Sequence, residues 1–277
     1  MTLKKQYIRL LFSVAPGYAT KKAFSRFATP NRLAPRPKEA EAMQNSRTET
    51  RNINGTQIQI YRWGNGTRKA LLVHGWEGNG GSLGYFAGPL IQNHYEVVSF
   101  DGPGHFQSAG KQTNLFEYAE LLRHFIESEK PDTIIAHSFG CAASVVALHD
   151  YTFANTPKKF IMIGTPNKLT DILNGFTSLA GIGRSGYHSI LHYMNNRFKR
   201  DMRSVQLEHY LKNTGLERVL LIHDEKDKIL PCSNARAIHE ANPGSTLHVT
   251  QGLGHQRILW DKSVSDTIMN FIFNIAP

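Results

Sequence analysis

Cysteine is almost absent from this chain: Cys141 and Cys232 are the two in 277 residues. Two thiols cannot build the disulfide framework of a small secreted domain, so a reducing, cytoplasmic setting is expected. Long apolar runs are missing as well, and nothing approaches the ~18 consecutive apolar residues of a membrane-spanning helix. Arg9 interrupts the apolar run near the start and no convincing processing site follows, which argues against a secretory signal. Internal repeats and low-complexity tracts are lacking, which sets aside repeat arrays. Acidic residues are few, 22 Asp and Glu against 32 Lys and Arg. Yet no basic patch sits on a recognisable binding module, so no nucleic-acid partner is expected. Metal-ligand patterns are also wanting. His188 and His192 are four apart and would share a helix face, but no third ligand or HExxH pattern accompanies them, so no metal is expected.

The net charge of +10 is unevenly placed: residues 1–51 carry eleven Lys and Arg and three Asp and Glu, while the remaining 21 basic and 19 acidic residues nearly cancel. Within this basic N-terminal arm, Leu3, Tyr7, Leu10, Leu11 and Val14 recur at helical spacing, with Lys4, Lys5 and Arg9 between them. Two readings are open. One is a basic amphipathic helix making weak contact with an anionic membrane surface. The plainer one is an arm whose apolar face docks on the main domain while its charges stay solvated. Residues 29–50, with three prolines and many polar residues, read as an extended connection.

Beyond the connection, strand-like and helix-like segments alternate. Strands are predicted at Gln57–Trp63, after an Asn54-Gly55 turn, and at Lys69–His74, Glu96–Asp101, Thr133–His137, Phe160–Gly164, Val219–His223 and Leu247–Thr250. Helical patterns cover Gly81–Asn93, Leu115–Glu129, Phe139–Asp150, Ser233–Ala241 and Lys262–Phe273. Short, fully apolar strands alternating with helices predict an α/β fold with a mostly parallel sheet covered on both faces. The rhythm breaks once, between Pro166 and Gly215, a gap far longer than a crossover helix needs. Ile172, Leu173, Phe176 and then Ile190, Leu191, Tyr193, Met194 recur there at helical intervals around a glycine-rich piece, Gly181–Gly186. The chain therefore divides into an arm (1–51), a core (52–165 and 216–277) and a small helical cap inserted at 166–215.

The chemistry concentrates at Ala136-His137-Ser138-Phe139-Gly140. A β-branched strand stops at a small residue, a serine follows two positions later and a glycine two after that, the pattern of a nucleophile elbow with alanine in place of its first glycine. A serine hydroxyl needs a base, and the base an orienting carboxylate. Val219–His223 is followed by Asp224-Glu225-Lys226-Asp227; Asp227 is the best candidate, with Asp224 and Glu225 as rivals nearer the strand. After Leu247–Thr250 a glycine-flanked loop carries His255, which can reach back over the sheet. Oxyanion donors are expected from the backbone N–H groups of Phe139, directly after the serine, and of Trp76, in the loop His74-Gly75-Trp76. His137 is read as shaping the elbow, and Cys141 as a small buried residue.

In these pieces the chain resembles the α/β-hydrolase family, in particular its H-G-x branch with a short helical cap. The resemblance runs over residues 54–275. It rests on His74-Gly75-Trp76, Asp101-Gly102-Pro103-Gly104-His105, the Ser138 elbow, His223 to Asp227 followed by Pro231, and Gly252-Leu253-Gly254-His255. In the family, the aspartate lies four residues after the strand's terminal histidine, the offset of Asp227 from His223. Phe106 stands where the family has a glycine, so substrate shape is not inherited. The resemblance implies a serine hydrolase that cleaves a carboxylic ester or related small-molecule acyl compound through an acyl-enzyme on Ser138, with no cofactor. Trp76, His105, Phe106, Phe176 and Met194 are candidate pocket walls. Hydrolysis of C–C bonds, thioesters or amides on the same residues stays open. So does a non-catalytic, membrane-associated binding protein that keeps the scaffold. Oligomeric state is not readable.

Overall fold

The structure, a computed structural model, describes residues 3–274, with the side chains of Leu3 and Lys4 outside the described set. Two compact units are present, Met1–Thr29 with Asn167–Gln206, and Pro30–Pro166 with Leu207–Pro277. No helix among the described residues is long and apolar enough to cross a membrane.

The larger unit is built on eight strands: β1 (Arg47–Ile53), β2 (Thr56–Trp63), β3 (Arg68–Val73), β4 (Tyr95–Phe100), β5 (Thr133–His137), β6 (Lys159–Ile163), β7 (Arg218–Asp224) and β8 (Thr246–Thr250). Their order across the sheet is β1-β2-β4-β3-β5-β6-β7-β8. The first two pairings are antiparallel and the rest parallel. In register, Leu72, Ile135, Ile161 and Leu220 form one row across four parallel strands, each at most 1% exposed. Burying such a side chain contributes ~1.5–3 kcal/mol, and burial on both sheet faces explains why these strands read as unbroken apolar runs.

Residues 30–51 are not a plain connection. Pro37–Gln44 is a helix that starts on a proline, where the missing N–H costs nothing. Trp63 Nε1 donates to the carbonyl of Ala42 at 2.8 Å, and buried Glu39 accepts from Asn79 Nδ2 at 3.0 Å. The strand β1, Arg-Thr-Glu-Thr-Arg-Asn-Ile, escaped the sequence pattern because it is an edge strand with one fully buried residue. At the far end of the expected insertion, Leu207–Tyr210 likewise belongs to the larger unit, where Tyr210 stacks on His149 at 3.9 Å.

Among the described residues the smaller unit holds four α-helices, Leu3–Val14, Pro16–Phe27, Leu169–Ala180 and Arg184–Phe198, and a short 3-10 helix, Met202–Ser204. Phe24 packs on Tyr193 at 5.2 Å, and Phe27 on Phe176 at 5.0 Å. Leu173, Ile190, Leu191 and Met194 are among its buried residues. Of the arm's apolar stripe, Leu11 is half-buried, and the side chain of Leu3 lies outside the described residues. Tyr7, Leu10 and Val14 are 65%, 59% and 70% exposed. Their helix is seated instead by the buried Phe12, beside Gly186, and by the aliphatic stem of Lys5 against Gly181.

Candidate active site

Loops leaving the C-terminal ends of β3, β4, β5, β7 and β8 meet at one edge of the sheet, where parallel folds gather ligand-handling groups. β5 turns at Ser138 into the helix Phe139–Asp150. Ser138 lies at φ 53° and ψ −119°, in the region L-residues avoid, and its N–H donates to the Ile163 carbonyl at 2.9 Å. Such strain costs ~1–3 kcal/mol and persists only when the surroundings over-determine it. They do here, because nine residues of that helix are buried. Gly140 is required by close approach: a Cβ would sit 2.6 Å from the carbonyl oxygens of both Val73 and His74. Ala136 is fully buried and in ladder with Val73 and Met162, so its methyl fits where the usual elbow has glycine. Burial pushes the Cys141 thiol up to about 12, which leaves it an inert packing group.

His255 joins the elbow to a carboxylate. Its Nε2 is 3.0 Å from Ser138 Oγ and its Nδ1 is 2.6 Å from Asp227 Oδ2. The Asp227 side chain is 1% exposed. Its other oxygen, Oδ1, accepts from the backbone N–H groups of Ile229 and Leu230 at 2.8 and 3.0 Å. Burial alone would push Asp227 up, but hydrogen bonds with His223 and His255 and from the Leu230 N–H outweigh it and hold the carboxyl well below the usual range. The carboxylate is thus ionised and Nδ1 of His255 carries the proton, which leaves Nε2 facing the hydroxyl as an acceptor. The rivals do other things. Asp224 accepts from Thr250 Oγ1 at 2.8 Å and from the N–H groups of Leu253 and Lys226 at 2.9 and 3.0 Å, tying loop to loop. Glu225 pairs with Arg236 at the surface.

Buried histidines brace the site. His137 donates from Nε2 to the His255 carbonyl at 3.0 Å. Burial first, and the neighbouring His255 second, lower it to about 3, so it stays neutral. His74 donates from Nδ1 to the Gly75 carbonyl at 2.7 Å and accepts at Nε2 from the Gly102 N–H at 2.9 Å. Burial keeps it far below the usual imidazole range. Asp101, raised to about 6 by burial, accepts from Gly80 N–H, Gln107 N–H and Tyr61 Oη at 2.7, 3.1 and 3.0 Å.

The loop after β3 comes against the serine: a Cβ on Gly75 would be 3.0 Å from Ser138 Cβ. Trp76 follows, its ring edge-on to Phe139 at 5.2 Å and to His105 at 5.5 Å. His105 is fully buried, and its Nδ1 donates to the Pro103 carbonyl at 3.1 Å. Phe106 is half-buried at φ 25°, in the left-handed region that glycine adopts without the steric cost a side chain carries. Phe176 and Met194 belong to the smaller unit, the first packed on Phe27 and the second buried.

Sequence reasoning missed a strap. Asn31 donates from N and Nδ2 to Glu77 at 3.1 and 2.6 Å, beside Trp76. Arg32 donates to the carbonyls of Phe106, Ser108 and Gly110 at 2.5, 2.7 and 2.7 Å. Arg36 donates to Gln256, next to His255, at 2.8 Å. Residues 31–36 thus clip three of the site's loops. Their partners lie 46 to 220 positions away, so no local pattern signals them. Among the described residues, no group of three His, Cys, Asp or Glu is placed to hold a metal; His192 accepts from Asn196 Nδ2 instead.

A family model described as the alpha/beta hydrolase family matches residues 70–263. The chain belongs to that family. A serine hydrolase-like protein of Danio rerio is 25% identical over 184 residues, which are 64% of this chain and 53% of that one. The chain thus spans about half the length of that relative. Among solved structures, an esterase from Exiguobacterium antarcticum is 18% identical at a TM-score of 0.61, over 81% of this chain and 98% of that one. An esterase from Pyrococcus furiosus is 15% identical at a TM-score of 0.63, over 89% and 96%. At these identities the structural likeness is one of fold.

Proposed function

We propose that this alpha/beta hydrolase cleaves a carboxylic ester or a related acyl compound through a covalent intermediate on Ser138. One arrangement carries the proposal: a single imidazole whose two nitrogens lie 3.0 Å from a strained serine hydroxyl and 2.6 Å from a buried carboxylate. His255 Nε2 takes the proton of Ser138 as Oγ attacks the carbonyl carbon, and the carbonyl π electrons move onto oxygen. The N–H groups of Phe139 and Trp76 are assigned to that oxyanion. The close approach of the Gly75 backbone to Ser138 supports the second of these. Collapse of the tetrahedral adduct expels the leaving group, which receives the proton from His255. Water then gives a proton to His255 as its oxygen attacks the acyl carbon, and collapse of this second adduct releases the acid and breaks the bond to Ser138 Oγ, which takes the proton back from His255. Asp227 stays ionised and stabilises the imidazolium at each stage.

The test is covalent labelling with a fluorophosphonate, followed by rates on p-nitrophenyl esters, acyl-thioesters, anilides and a β-diketone. Stoichiometric labelling that Ser138→Ala abolishes, with esters turned over fastest, supports the proposal. A wild-type chain that neither labels nor turns over any of these refutes it. Preference for a thioester, an anilide or the diketone refutes the ester assignment and leaves the nucleophile in place.

A further inference from the structure

The N–H of Trp76 and the carbonyl of Gly75 belong to one planar trans peptide, so they point in opposite directions. Whatever holds that carbonyl therefore aims the N–H. Two donors hold it, His74 Nδ1 at 2.7 Å and the Gly78 N–H at 3.1 Å. The second closes a four-residue turn, Gly75 to Gly78. This turn lies so close over His74 that a Cβ on Gly78 would sit 3.0 Å from its Nδ1. Glu77 is the third residue of the turn and lies at φ 60°, a left-handed conformation that carries a steric cost for any residue with a Cβ. Glycine would adopt it freely. With glutamate in that place, a contact from outside the turn has to hold it.

Asn31 supplies the contact. Its backbone N–H and its Nδ2 both donate to Glu77 Oε1, at 3.1 and 2.6 Å, across 46 positions of the chain. An exposed polar contact contributes little when both partners are free to move. Here both are restrained. Asn31 precedes Arg32, whose guanidinium is fixed on the carbonyls of Phe106, Ser108 and Gly110, and Glu77 is itself half-buried. Two charge-assisted bonds to one carboxylate oxygen then set the direction of the glutamate side chain.

We propose that Glu77, gripped by Asn31, is a positioning residue that fixes the left-handed turn and so aims the Trp76 N–H at the substrate's carbonyl oxygen. The inference rests on the acyl-transfer reading of Ser138. Removing an oxyanion donor outright lowers kcat by about 10²–10³, and a donor that is present but no longer aimed is expected to lose about tenfold.

The test measures kcat, KM and the rate ratio between a p-nitrophenyl ester and its thionocarbonyl analogue, whose sulfur accepts hydrogen bonds poorly. Glu77→Ala removes both bonds from Asn31 and keeps the Cβ. It is expected to lower kcat on the ester about tenfold with KM within about twofold, and to lower the ester-to-thionoester ratio by a similar factor. Glu77→Gln keeps an acceptor oxygen for both donors and loses only the charge, so kcat and the ratio are expected within about threefold of wild type. Asn31→Ala keeps the backbone donor and is expected to fall between the two.

A wild-type kcat in Glu77→Ala overturns the proposal. So does an equal loss on ester and thionoester, which marks a general loosening of the site. A Glu77→Gln variant as impaired as Glu77→Ala overturns it as well, because the charge and not the grip is then the agent. If circular dichroism shows Glu77→Ala unfolded, Asn31→Ala decides by the same ratio. A wild type that neither takes up a fluorophosphonate nor hydrolyses the ester defeats the acyl-transfer reading and this inference with it. An active wild type whose ratio is unmoved in the variants defeats this inference alone.

Discussion

Asp227→Asn separates the carboxylate that serves His255 from its two neighbours. Oδ1 of Asp227 accepts two backbone N–H groups, from Ile229 and Leu230. In the variant, the amide oxygen must stay on those donors, because turning the NH2 toward them would set donor against donor. The amide nitrogen therefore replaces Oδ2 and points its hydrogen at His255 Nδ1, 2.6 Å away in the native pair. Nδ1 then becomes an acceptor, and the imidazole proton moves to Nε2, facing Ser138. Nε2 can no longer take the serine proton. A wrong-tautomer change of this kind lowers kcat by about 10⁴, or ~5.5 kcal/mol of barrier. Asp224→Asn leaves His255 untouched. It removes one acceptor among Thr250, Leu253 and Lys226, and costs ~1–3 kcal/mol of stability with kcat within about tenfold of wild type. Both variants are compared by hydrolysis of a short p-nitrophenyl ester and by urea unfolding. A kcat for Asp227→Asn within about tenfold of wild type, or the large loss appearing in Asp224→Asn instead, refutes the reasoning.

Arg32→Ala removes three hydrogen bonds from the loop that holds Phe106 in its strained conformation. Because these bonds are largely exposed, the expected loss is ~1–2 kcal/mol in urea unfolding. Phe106→Gly in that background is expected to recover part of it, and no recovery refutes the strain argument. Glu129 sits at 5% side-chain exposure between Arg62, Lys69 and Arg51, and is lowered from 4.5 to about 2. Burial alone would raise it, but the bonds from Arg62 and Lys69 outweigh that. Its folded value lies below its unfolded one, so its contribution is full above pH 4.5 and is lost as pH falls toward 2. Allowing for screening at the partly exposed Arg51 and Lys69, the contribution is ~2 kcal/mol. The gap in unfolding free energy between wild type and Glu129→Gln is expected to narrow steadily as pH falls from 5 to 3. A pH-independent gap refutes the assignment.

The elements whose pattern is local were readable in the chain. β5 matches its expected span, as do the helices Leu115–Glu129, Phe139–Asp150, Ser233–Ala241 and Lys262–Phe273, because burial on one or both faces writes itself into consecutive residues. The edge strand β1 and the helix Pro37–Gln44 bury too little to leave such a pattern. The arm's stripe was visible as a period but not as a fate, since periodicity reports which side chains share a face and not what lies opposite.

Sequence alone determined the succession of strands and helices, the sharp turn at Ser138 and the order serine, carboxylate, histidine. All of these depend on neighbours within a few positions. Tertiary structure decided which of Asp224, Glu225 and Asp227 meets His255, and that Arg32 steadies a phenylalanine held at positive φ. It also left Tyr7, Leu10 and Val14 facing outward. Those outcomes turn on distances between groups far apart in the chain, and a hydrogen bond or a bare surface exists only once the backbone has closed around it.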